Sequence, residues 1–237
     1  STTISDDGQF AACSRGNQIF IYHLPTKQLV TRLSDSSLGE NIAHRDLVQS
    51  LSFSPDGSIL ASGGFRVVKL WSNRINEKSR TFNIMNGNEK IVAMDVDYET
   101  GIAVVAGSLG TVRAVSLENR IPVWSDHLSR VGAQSVIKSP DGKSVAVLFS
   151  DGRVRTWELD TGSRITHESS PLKISFFAWL DNSRIISSHD GGTVKLWITN
   201  NPDRILLEWK APSEVSALSA WKNKESILVG QADGAVH

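Results

Sequence analysis

Hydrophobic and polar positions alternate along this chain in short runs, and no stretch keeps up a 3.6-residue period. Alternation sends successive side chains to opposite faces, so the runs predict half-buried strands and almost no helix. The clearest series is Val48 to Phe53, Ile59 to Ser62, Val67 to Trp71 and Ser79 to Phe82, with the turn Ser54-Pro55-Asp56-Gly57 after the first run. That turn is chemically apt: Pro presets φ, Asp can accept from backbone two residues on, and Gly supplies a positive φ. It recurs as Ser139-Pro140-Asp141-Gly142 and as Ser5-Asp6-Asp7-Gly8.

One strand pattern repeats along the whole chain. It places a β-branched residue after a Gly or polar residue, often followed by a basic residue, an apolar residue and Trp. The copies centre on Ile19, Val68, Val112, Val154, Val194 and Val236, spaced 49, 44, 42, 40 and 42 residues apart. Such a period suits a four-stranded blade of about 40 to 45 residues. Units are expected over about 1–43, 44–87, 88–129, 130–170, 171–211 and 212–237.

His44-x-x-x-Val48-x-x-Leu51-x-Phe53-Ser54-Pro55-Asp56-Gly57, closed by Lys69-Leu70-Trp71, resembles the WD-repeat family, and the resemblance extends over essentially the whole chain. It implies an all-β WD-repeat β-propeller of four-stranded antiparallel blades. It also implies, in each blade, a hydrogen-bonded set of His, Ser, Asp and Trp. His44, Ser62 and Trp71 match three of the four in the second unit. Asp151 and Trp157 match two in the fourth, Trp197 with a displaced Asp190 matches in the fifth, and Asp233 alone in the sixth. The third unit has Leu109 and Val115 at these positions and is expected to rely on apolar packing.

A narrower resemblance lies in Ala43 to Leu51 and in Gly63-Gly64-Phe65-Arg66 through Trp71. These segments are similar to WD-repeat regions of large bacterial proteins of the planctomycete type, often fused to c-type cytochrome domains. That resemblance implies a periplasmic or cell-envelope setting, with haem only in flanking sequence. Ser1 to Gly8 reads as the tail of a first strand, and Ala235-Val236-His237 stops inside a third. The expectation is one propeller domain of about five blades and a partial sixth, incomplete at both ends, from a parent of about seven.

Composition narrows the function classes. The 237 residues hold 25 Lys and Arg against 25 Asp and Glu, so no net field draws in nucleic acid. No apolar run approaches the roughly 18 residues of a membrane-spanning helix. With Cys13 as the single cysteine, multi-cysteine zinc sites and Cys-x-x-Cys-His haem attachment are excluded within these residues. Cys13 itself reads as a small buried filler. The six histidines share no metal-ligand spacing. His44-Arg45-Asp46-Leu47 superficially resembles a kinase catalytic loop, but Leu51 stands where that motif needs Asn. No catalytic residue or metal site is expected.

Function therefore rests on sites carried by the scaffold. In the family, the loops entering innermost strands and those joining second to third strands share a partner-binding face. Here that face would hold Arg45, Asp46, Phe65, Arg66, Arg130, His189, Asp190 and Glu214. Phe65 and Arg66 lead, since aromatic residues and Arg anchor interfaces, and their turn is one residue shorter than the family norm. Trp124, Trp179, Trp209 and Trp221 could pack internally or add anchors. The long polar connection Ser34 to Ala43 opens onto the same face and could fold over a ligand or stay mobile. The chain reads as a non-catalytic scaffold for a protein partner or a flanking domain. The alternative is the propeller portion of a c-type cytochrome fusion.

Overall fold

Each alternating run becomes a strand, and each strand pairs antiparallel with its sequence neighbour. The computed structural model describes residues 1–72, 80–85, 87–129, 131–165, 173–221 and 226–237. Two compact units divide the chain, Ser1–Gly132 and Ala133–His237.

The first unit contains three four-stranded meanders. They are β1 (Thr2–Ile4) to β4 (Gln28–Leu33) through β2 (Phe10–Arg15) and β3 (Gln18–His23); β5 (Ser50–Phe53), β6 (Ile59–Gly63), β7 (Val67–Ser72) and β8 (Arg80–Asn83); and β9 (Ile91–Asp97), β10 (Ile102–Gly107), β11 (Thr111–Ser116) and β12 (Pro122–His127). Their first strands face one another, β1 against β5 and β5 against β9, which is how propeller blades pack.

The second unit repeats the plan. It holds β13 (Ala133–Lys138), β14 (Ser144–Phe149) and β15 (Val154–Glu158); then β16 (Ile174–Trp179), β17 (Arg184–His189), β18 (Thr193–Ile198) and β19 (Asn201–Lys210); then β20 (Val215–Trp221) and β21 (Ser226–Gln231). After β15 the backbone makes one further bridge, Trp157 to Arg164. First strands again meet, β13 with β16 and β16 with β20. Among the described residues no helix is long and apolar enough to cross a membrane.

The repeat anchors explain the core. Ile19, Val68, Val112, Val154 and Val194 lie on the third strands β3, β7, β11, β15 and β18, all buried. Each apolar cluster joins facing sheets within a unit: Ile19, Ile21, Leu51, Leu60 and Trp71 in one, Val68, Ile91, Met94, Val105 and Val115 in the next. Burying each such side chain contributes roughly 1.5–3 kcal/mol. Cys13 proves half-buried rather than buried, since it sits near the end of β2 where the sheet opens to solvent.

The three Ser-x-Asp-Gly turns have one geometry. The hydroxyls of Ser5, Ser54 and Ser139 donate to Asp7, Asp56 and Asp141 at 2.6, 2.6 and 2.7 Å and accept from the backbone N–H of Phe10, Ile59 and Ser144 at 2.9 Å. Gly8, Gly57 and Gly142 close them at φ of 68°, 67° and 69°. Each turn satisfies its own polar groups, so it forms wherever its residues occur.

Trp157 is the largest fully buried side chain, packed beside Phe149 at 6.2 Å between ring centroids. Trp157→Ala should cost about 3–5 kcal/mol through the cavity it leaves, read as a lower urea midpoint.

Candidate functional site: a cleft beside the second sheet

The segment between β4 and β5 is too polar to continue a strand, and it folds down instead. Asp35 N–H donates to Ile42 C=O at 2.8 Å, Asn41 N–H to Ser34 Oγ at 2.8 Å, and the N–H groups of Ala43 and His44 to Asn17 C=O at 3.1 Å. The long connection is thereby tied at both ends. Lys69 also holds both ends to β7: its buried ammonium donates to the Asp35 carboxylate and to Ala43 C=O, the latter at 2.7 Å, and lies 5.7 Å from the Trp71 ring centre.

The same segment delivers His44 into the sheet. Trp71 Nε1–H donates to Ser62 Oγ at 2.7 Å, and His44 Nε2 bonds the same hydroxyl at 2.7 Å, with all three residues buried. Gly64 makes the fit possible, since a methyl group there would stand 2.7 Å from His44 Nδ1. Burial, aided by the Lys69 charge, pushes the His44 pKa from 6.5 down to about 4, so the ring is neutral at pH 7. At Asp35, burial alone would raise the pKa. Hydrogen bonds from Lys69 and Ser37 outweigh it and hold the carboxyl at about 2.

Between the folded segment and the β6–β7 turn lies an open cleft of about 680 Å³. Arg45, Asp46, Phe65 and Arg66 line it with Asp35 and Lys69, and Thr81 and Asn83 of β8 contribute to the far side. Arg45 and Asp46 are exposed, Phe65 and Arg66 half-buried. Arg66 has an intrablade partner that its sequence position did not reveal: Nε–H donates to Met85 C=O at 3.3 Å, and the guanidinium carbon sits 5.8 Å from the Phe65 ring centre. Asp46 accepts from Leu47 N–H at 2.7 Å.

The other candidate positions separate. His189 is no surface contact: it is 3% exposed, and its Nε2 meets Ser187 Oγ at 3.0 Å while Trp197 Nε1–H donates to that hydroxyl at 2.9 Å. The fifth sheet thus builds the Trp–Ser–His set with a histidine from the end of β17. Asp190, read both as a contact and as the displaced repeat residue, lies outside the set, exposed and accepting from Ser175 Oγ at 3.4 Å. Asp151 pairs with Arg155 at 2.7 Å, because a cation on the neighbouring strand reaches it first. Asp233 is exposed and accepts from Ala235 N–H at 3.0 Å; Glu214 is exposed. Arg130 lies outside the described residues.

The third unit corrects the expectation of purely apolar packing. Glu89, 7% exposed, accepts from the N–H groups of Leu109 and Thr111 at 3.0 and 2.9 Å, tying down the β10–β11 turn. A methyl group at Gly107 would lie 2.0 Å from its Oε1. Asp35, Lys69 and Glu89 all escaped the sequence reading. One signal was present: a basic residue recurs after the β-branched anchor at Lys69, Arg113, Arg155 and Lys195. Arg113 likewise reaches a preceding connection, donating to Ile84 C=O.

Of the four tryptophans outside the repeat position, Trp179 is buried and donates to Ile137 C=O at 3.0 Å. Trp124 and Trp209 are half-buried, and the Trp221 side chain lies outside the described residues. Among the described residues no three His, Cys, Asp or Glu side chains gather in a way that could hold a metal ion.

Residues 36–72, which span much of this cleft, match the family model described as WD domain, G-beta repeat. WD repeat-containing protein 1 of Gallus gallus is 26% identical over 161 residues, covering 66% of this chain and 26% of that protein. Apoptotic protease-activating factor 1 of Mus musculus is 24% identical over 191 residues, covering 65% and 15%. The WD repeat-containing protein WDS homolog of Arabidopsis thaliana is 26% identical over 181 residues, covering 73% and 33%. The chain spans a third or less of the length of these relatives. Two solved structures, "Structure of U3-55K" and "Crystal structure of RRP9 WD40 repeats", superpose at a TM-score of 0.79 over 99% of this chain and 75% and 74% of theirs. At 15% identity that likeness is one of fold. These findings support the WD40-repeat family and a WD40 propeller fold.

The depressed His44 pKa sets a pH window. Between about 4 and 6.5 the unfolded chain binds a proton that the folded chain refuses, so stability falls as pH drops through that range. The loss should reach about 3 kcal/mol for this 2% exposed ring. The stabilisation from Asp35 is fully present above 3.8 and is lost only as pH falls from there toward 2, below this window. Urea unfolding at pH 7 and pH 4.5 checks it, with His44→Asn showing a smaller pH dependence.

Proposed function

We propose that this chain is a non-catalytic scaffold that holds a protein partner, or a neighbouring domain, through the cleft beside its second sheet. The observation that carries the reading is the cleft itself. It brings together Arg45, Asp46, Phe65 and Arg66, from a loop entering an innermost strand and from a turn joining second to third strands. Its floor is braced by the buried Lys69 paired with half-buried Asp35, so exposed Arg45 and Asp46 are presented on a tied loop at low ordering cost. Balanced charge favours a protein partner over nucleic acid. The WD-repeat relatives add support, since WD40 repeats generally serve protein interactions. Asp190 and Glu214 are exposed contacts of the same kind in the second unit.

The cytochrome-fusion reading rests on resemblance alone, whereas the relatives matched above are eukaryotic WD-repeat proteins. A Cys-x-x-Cys-His motif in flanking sequence, or a haem Soret band in the full-length protein, would establish it.

The Phe65→Ala, Arg66→Ala double variant should stay within about 1 kcal/mol of the parent in stability, since neither side chain belongs to the core. It should weaken the main partner by about 2 kcal/mol or more if the two are anchors. The partner enriched from an extract of the source cells would be titrated calorimetrically against both proteins. Normal binding by a folded double variant would move the site elsewhere.

A further inference from the structure

In the turn between second and third strands, Arg66 occupies a positive-φ conformation that the other sheets fill with glycine at that place, although Lys27, Asn41 and Arg120 adopt it elsewhere in the chain. The turns between second and third strands reach positive φ at Gly16 (62°), Gly110 (101°), Gly152 (77°), Gly191 and Gly192 (76° and 81°) and Gly234 (88°), but in the second sheet at Arg66 (64°). An L-residue there is sterically strained, and strain kept against an available glycine points to use of the side chain. The side chain lines the cleft, and among the described residues its Nε–H donates to Met85 C=O and one flank lies against Phe65.

The charges of the cleft sum in one direction. Lys69 and Asp35, both in the lining, neutralise each other, and His44 is neutral. Asp46 accepts from Leu47 N–H and keeps its charge, so Arg45, Arg66 and Lys69 against Asp35 and Asp46 leave the lining with a net charge of +1. Two guanidinium groups, Arg45 and Arg66, remain as donors facing the opening, beside the hydroxyl of Thr81 and the amide of Asn83. Guanidinium binds carboxylate through paired, charge-assisted hydrogen bonds, and the half-buried Phe65 ring beside Arg66 offers apolar contact. The volume of about 680 Å³ suits a short peptide segment rather than a folded domain.

We infer that the cleft binds a short extended peptide segment of the partner that carries acidic side chains, with Arg45 and Arg66 taking the carboxylates. This rests on the scaffold reading above and specifies its ligand. The test is fluorescence anisotropy with a labelled octapeptide of alternating glutamate and leucine, and with its glutamine and lysine counterparts. The glutamate peptide should bind about tenfold or more tightly than the glutamine peptide and weaken as salt rises. Arg66→Gly should abolish most of that preference while keeping an equal or higher melting temperature, because glycine suits this φ. Arg45→Gln should weaken the glutamate peptide about fivefold or more.

Equal binding of the glutamate and glutamine peptides, preference for the lysine peptide, or tighter binding of a single-stranded oligonucleotide would overturn the inference. So would unchanged affinity in the folded Arg66→Gly variant, or no binding of any probe. None of these results touches the scaffold reading, which stands or falls on loss of the protein partner in the double variant.

Discussion

A tryptophan packed between two sheets brings one N–H that cannot be left without an acceptor, at a cost of about 1–3 kcal/mol if it is. Trp71 and Trp197 meet that demand alike, through a serine hydroxyl on the neighbouring second strand, Ser62 or Ser187. A single hydroxyl in a dry interior needs a second partner of its own, and a histidine supplies it. Everything around the cleft follows from where that histidine comes from. In the second sheet it arrives at the end of the 34–44 segment, so the segment must lie down over the sheet. In the fifth it comes from β17, and no such covering segment is required.

Bringing the segment down creates a second problem, which Lys69 resolves. The covering chain buries the Ala43 carbonyl and half-buries the Asp35 carboxylate, and an ammonium on β7 satisfies both. An ion pair with one buried partner is weak evidence for added stability but evidence for a fixed arrangement, because Lys69 alone would be a costly buried charge. The third sheet reaches the same end with the opposite sign. There Glu89, rather than a cation, captures the N–H groups of the β10–β11 turn. The floor of the cleft is therefore structural, and Arg45 and Arg66 line the cleft above it.

The histidine positions show how far the repeat could be read in advance. His44 lies a few residues before its strand and resembles the family pattern directly. His189 also completes a Trp–Ser–His set, yet it sits at the end of a second strand, where its sequence position points to a surface contact. The two sets have similar geometry from different sequence spacing, so spacing alone could not identify the second. Asp190 beside it looked like the repeat residue and turned outward instead.

Strand order, the third-strand anchors and the three Ser-x-Asp-Gly turns were determined by the sequence itself. Alternation and turn chemistry act between residues only two to five positions apart, and each turn satisfies its own polar groups. The tertiary structure alone decided which polar side chains are buried and with whom: Lys69 with Asp35, 34 residues away, Glu89 with a turn 20 to 22 residues on, and His189 with Ser187 and Trp197. A polar residue's burial depends on which distant segment covers it, and no local pattern records that.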